Sequence, residues 1–142
     1  MTFDERDGRN EAQNRTWDTI ATETSMARIS THVLDITRGT PAHGIAVELH
    51  FVKGADRRLI AAVTTNSDGR TDEPLVATDQ LETGIYELSF HAADYFHRLG
   101  ISLSDPPFMG VIVVRIGIAS SAGNYHVPLL VSPYGYSTYR GS

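Results

Sequence analysis

The residues of this 142-residue chain best suited to chemistry are two histidines, one arginine and the chain end. His32 and His126 each stand in an apolar, β-rich setting, Thr31-His32-Val33-Leu34 and Tyr125-His126-Val127-Pro128-Leu129-Leu130. An imidazole half-buried in a strand can have its proton affinity tuned, and near neutral pH it can act as a base. The plainer reading of each is a sheet histidine whose nitrogens find ordinary partners. Arg70 follows the turn Asn66-Ser67-Asp68-Gly69. Its planar guanidinium can fork onto a polar or anionic ligand, or simply be solvated as most loop arginines are. The chain closes on Tyr139-Arg140-Gly141-Ser142 directly after an apolar strand. Hydroxyl, guanidinium and terminal carboxylate can therefore be held in place instead of fraying. Spacing alone does not join these groups into one site.

The other histidines, His43, His50, His91 and His97, fall in a turn, in alternation with core residues, or on a short helical stretch, and read as ordinary side chains. There is no HExxH pattern and no carboxylate at a telling distance from a histidine pair, so no metal site is expected. The absence of cysteine removes thiol nucleophiles, iron–sulfur clusters and Cys-based zinc sites. These residues together suit a reaction that needs no cofactor.

Strands must position such groups, and strand signals run from Ser30 onward: Ser30–Asp35, Ile45–Lys53, Arg58–Thr65, Gly84–His91, Gly110–Ile118 and Tyr125–Tyr139, the last long enough to be bent or double. In Ile45–Lys53, Ile45, Val47, Leu49 and Phe51 alternate with Ala46, Glu48, His50 and Val52, giving one apolar face. The run Val111–Ile118 is apolar on both sides as far as Arg115, as in a strand covered on both faces, and suggests a subunit contact. Gly, Asn, Asp and Pro punctuate the segments as turns. Ala92–Gly100 alone reads as helical, with Gly100 suited to its C-terminal cap. The pattern predicts an all-β, two-sheet antiparallel sandwich with one short helix.

The formal charge is −5, of which residues 1 to 25 carry −3, and Lys53 is the single lysine. Such a chain is a poor polyanion binder, so no nucleic-acid partner is expected. No apolar run reaches membrane-spanning length and the start lacks a secretory pattern, so the expectation is no membrane contact and a cytoplasmic location. Residues 1–27 read as a disordered extension, with Met26 an alternative start and a docking arm the functional reading; residues 28–142 read as one domain.

Taken together, STHVLD at 30–35, TTNSDGRTD at 64–72, GIYELSF at 84–90, DYF at 94–96 and YHVPLLVSPYGYSTYRGS at 125–142 resemble the 5-hydroxyisourate hydrolases, the transthyretin-related enzymes of urate breakdown. The closing YRGS is what separates those enzymes from transthyretin, the hormone carrier of the same fold. The resemblance implies a transthyretin-like sandwich and a catalytic set of His32, Arg70 and His126. It implies substrate contacts from Tyr139, Arg140, Gly141 and Ser142, with one of the two histidines as the base. The implied partners are the small molecule 5-hydroxyisourate and three further copies, in a homotetramer built as a dimer of dimers with sites where the dimers meet. The alternative is a transthyretin-like carrier of a small ligand in the same channel. The sequence departs from the family pattern in its 25-residue tail, in SDPPFMG at 104–110 and in Pro133-Tyr134.

Overall fold

The computed structural model describes residues 26–142. Among these, the order is β1 (Ala27–Asp35), β2 (Thr40–Pro41), β3 (Ala46–Lys53), β4 (Asp56–Thr64), β5 (Val76–Thr78), β6 (Gly84–His91), α1 (Ala92–Arg98), β7 (Val111–Ile118), β8 (Asn124–Ser132) and β9 (Gly135–Thr138). One sheet runs β2-β1-β8-β9, with β5 also on β1; the other runs β4-β3-β6-β7. The two-sheet sandwich with one short helix is the architecture expected from the strand pattern. The tail over residues 1–25 lies outside the described residues.

Alternation builds the core. Val47, Leu49 and Phe51 of β3 and Tyr86, Leu88 and Phe90 of β6 face Ile29 and Val33 of β1 and Val127, Leu129 and Val131 of β8 within one buried cluster. The second sheet is antiparallel throughout. The first is antiparallel but for one pair: β1 and β8 run parallel, with Ser30 opposite His126 and His32 opposite Pro128. A hairpin forces antiparallel pairing, but β1 and β8 are joined through the whole opposite sheet, so no tight turn dictates their sense. The long segment Tyr125–Tyr139 resolves into β8 and β9 around a turn at Pro133-Tyr134.

β7 is an edge strand, and among the described residues only one of its faces is covered. Ile112, Val114 and Ile118 are buried while Val111 and Val113 are about half exposed, so the described residues cover one face and leave the other open. The helix is tied to the end of β1 through a fully buried carboxylate. Tyr95 Oη donates to Asp35 Oδ2 at 2.8 Å, and the amides of Thr37 and Arg38 donate to Oδ1 at 3.0 and 3.3 Å. Burial, then the bond to Asp35, pushes the Tyr95 phenol up to about 12. The two internal departures from the family pattern meet in space, with the rings of Phe108 and Tyr134 6.2 Å apart.

Candidate active site

Strand alternation decides which residues reach the outer face of the first sheet. In β1 the odd residues 27 to 35 are buried, so Arg28, Ser30 and His32 point outward; in β8 Tyr125 and Val127 are buried, so Asn124 and His126 point outward. The parallel register then sets Arg28 beside Asn124 and Ser30 beside His126, with His32 one step further along the same face.

Arg70 arrives by a loop stapled to β1. Arg70 bridges His32, the Val33 amide donates to Gly69 O at 2.8 Å, and His32 Nε2 lies 2.9 Å from Asp68 O. A carbonyl only accepts, so His32 Nε2 carries its proton toward Asp68. Gly69 has φ +75°, and a Cβ there would stand 2.3 Å from Val33 O, so the close approach requires glycine. Asn66 organises the turn. Its Oδ1 accepts from the amides of Asp68 and Arg70 at 2.9 and 3.2 Å, its own amide donates to Arg70 O at 2.7 Å, and its Nδ2 donates to Asp72 Oδ1 at 3.0 Å.

The chain end reaches the same face through an interrupted ladder. Thr138 pairs with Leu129 in β9, and the same register resumes at Gly141, which pairs with His126 and donates to its carbonyl at 2.8 Å. Between them lies Pro128. Its carbonyl faces this side, accepting from Thr138 Oγ1 at 2.7 Å, but it has no amide to offer. Tyr139 and Arg140 therefore leave the ladder. They line a separate cavity of about 310 Å³ between β7 and β8, where the Arg140 guanidinium lies 4.4 Å over the Tyr125 ring and donates to Asn124 O at 3.1 Å.

The implied set thus divides. Arg70, His126 and Ser142 line one cavity of about 240 Å³, joined by Arg28, Ser30 and Asn124; His32 stands two residues beyond Ser30 on β1 and is not among its lining, Gly141 backs the His126 ring, and Tyr139 and Arg140 lie at the neighbouring cavity. Arg28, Ser30 and Asn124 were missed in the sequence. The period of two that puts His32 outward applies equally to residues 28 and 30, but β1 begins at Ala27, ahead of the strand signal at Ser30, and Asn124 stands two before His126 by the same rule.

Burial, reinforced by Arg70 and His32, holds the His126 imidazole below its ordinary value of 6.5. Its Nδ1 lies 2.9 Å from Ser30 Oγ, and its Nε2 has no hydrogen-bond partner among the described residues. A neutral imidazole with one nitrogen open, in a cavity that guanidinium side chains and Ser142 also line, can take a proton from water while the cations hold a planar, electron-rich ligand. Among the described residues no group of three or more potential ligands gathers to hold a metal. No described helix is long and apolar enough to cross a membrane.

Fold and site thus define a cationic, imidazole-bearing pocket on the outer face of a β-sandwich. The model of the HIUase/Transthyretin family matches residues 29–141, and the chain belongs to that family. It is 55% identical over 115 residues to 5-hydroxyisourate hydrolase 2 of Rhizobium meliloti (strain 1021), covering 81% of this chain and 96% of that one. The solved 5-hydroxyisourate hydrolase of Klebsiella pneumoniae superposes with a TM-score of 0.65 at 32% identity, covering 82% of this chain and 94% of that chain. (S)-allantoin synthase superposes with a TM-score of 0.77 at 37% identity over 85% of this chain, which spans 46% of that longer protein.

Proposed function

We propose that residues 28–142 form a hydrolase that opens the six-membered ring of 5-hydroxyisourate to 2-oxo-4-hydroxy-4-carboxy-5-ureidoimidazoline. The observation that carries this reading is the union of His126, Arg70 and Ser142 in one cavity, in a chain with a 55% identical relative of that name. His126 is the base. Its lowered proton affinity keeps it neutral at pH 7, and its open Nε2 takes a proton from water. The water oxygen bonds to the ring carbonyl carbon, the ring C–N bond breaks, and the departing nitrogen takes a proton.

Arg70 forks onto the substrate's oxygens and stabilises the oxyanion as it forms. His32, whose Nε2 is committed to Asp68 O, orients substrate or water from the side. Gly141 and Ser142 close the floor of the site, and Tyr139 and Arg140 shape its neighbourhood. No cofactor takes part in this scheme.

The working form is a cytoplasmic homotetramer, a dimer of dimers. The exposed Val111 and Val113 on edge strand β7 support subunit contact, and the solvent-facing site on the outer sheet supports closure by a facing dimer. The test is the rate at which 5-hydroxyisourate, formed in place by urate oxidase, disappears. Acceleration above unaided decay is expected, and decay at the unaided rate with a well-folded tetramer would turn the reading to ligand carriage.

A further inference from the structure

The position of Ser30 shows how the imidazole is kept ready. We infer that Ser30 is a positioning residue, whose Oγ accepts the Nδ1 proton of His126 and so leaves Nε2 as an open lone pair facing the cavity. The inference rests on the reading of His126 as base.

Two contacts fix the ring. The parallel register sets Ser30 directly opposite His126, with Oγ 2.9 Å from Nδ1. On the opposite edge the Gly141 backbone closes in, where a Cβ would come within 2.6 Å of His126 Cδ2. What remains is the Cε1–Nε2 edge. Both orientations of a ring flip are thereby unequal, because only one presents a nitrogen to the serine.

A serine hydroxyl can donate or accept, so the tautomer is decided by what faces the other nitrogen. The titratable groups that act on the ring are His32 from β1 and Arg70 from the loop, while Arg28 from β1 and Ser142 line the same cavity. The Arg70 guanidinium carries donors only, and a proton on Nε2 would add to the charge that it already opposes. Ser30, by accepting at Nδ1, tips the ring the same way, toward an open Nε2. An orienting contact of this kind acts as the outer partners of metal-bound histidines do, fixing tautomer and ring plane through the nitrogen that does no chemistry.

The test is long-range proton–nitrogen correlation NMR on the full chain labelled at histidine nitrogens, at about pH 8, above the ordinary imidazole range. The His126 signals are identified by their loss in His126→Gln. In the unsubstituted protein the expected pattern is a protonated Nδ1 and an unprotonated Nε2. Ser30→Ala is expected to move the pattern toward a mixture and to lower kcat roughly tenfold or more, with KM changed by less than about twofold, since a misplaced tautomer withholds the base without removing substrate contacts. Ser30→Thr, which keeps the hydroxyl, is expected to restore both. A protonated Nε2 in the unsubstituted protein overturns the inference, and that result needs no variant to fold. So does an unchanged pattern and rate in Ser30→Ala. The expected pattern, shifted in Ser30→Ala, in a protein that never accelerates 5-hydroxyisourate decay leaves the Ser30 assignment standing and defeats the hydrolase reading instead.

Discussion

Gly141 and His126 are locked edge to edge: the Gly141 amide donates to His126 O at 2.8 Å, and its Cα lies so close to the imidazole that a Cβ would stand 2.6 Å from Cδ2. The glycine of the terminal YRGS is therefore a seat for the ring. Gly141→Ala is expected to displace the imidazole or peel the chain end away, lowering kcat by about tenfold or more, because small misplacements of a reacting group are costly. Steady-state kinetics beside a thermal melt check this, with the melt nearly unchanged since the chain end carries little of the core.

Asn66 holds Arg70 without reaching the cavity itself. Asn66→Ala removes the acceptor of two amides, at 2.9 and 3.2 Å, and the tie to Asp72. The loop carrying Arg70 loosens, so KM is expected to rise several-fold and the His126 titration to move up toward its ordinary value as the Arg70 charge withdraws. Arg70→Lys tests the same arm at its tip. Lysine keeps the charge but loses the fork, and kcat/KM is expected to fall by more than about tenfold, the scale of one charge-assisted hydrogen bond.

The pH–rate profile follows from the direction of the His126 shift. Burial, Arg70 and His32 all disfavour the imidazolium, so the acid limb of kcat/KM is expected to have its midpoint below 6.5. The same shift affects stability. The unfolded chain binds the proton more readily than the folded one, so stability rises with pH through this window and is lost as pH falls below 6.5. A kcat/KM titration across the acid range reads the first effect and urea melts across that range read the second.

The Tyr95–Asp35 bond is a separable stability device. Tyr95→Phe leaves Asp35 Oδ2, in a fully buried residue, without its 2.8 Å donor. The expected cost is about 1–3 kcal/mol of unfolding free energy, measured by urea titration, the usual scale for orphaning a buried acceptor.

How much of this was legible follows the range of the forces involved. The alternation of Val47, Leu49 and Phe51 with Glu48 and His50 is local, and it announced both the strand and its buried face. The resemblance carried by STHVLD, TTNSDGRTD and YHVPLLVSPYGYSTYRGS marks His32, Arg70 and His126, but the meeting of β1 and β8 on one face depends on a parallel pairing that no local pattern encodes. The departure of Tyr139 and Arg140 into a second cavity depends on the missing amide of Pro128 in the neighbouring strand. That proline was visible in the sequence; its partner across the ladder was not.

The most direct measurement follows the ultraviolet absorbance of 5-hydroxyisourate generated by urate oxidase, in the presence of this protein, of His126→Ala and of Arg70→Ala, each confirmed as folded. The account predicts rapid loss of the intermediate with the unsubstituted protein and a return to nearly the unaided rate in both variants. Full acceleration surviving in His126→Ala would contradict it, because the base would then lie elsewhere.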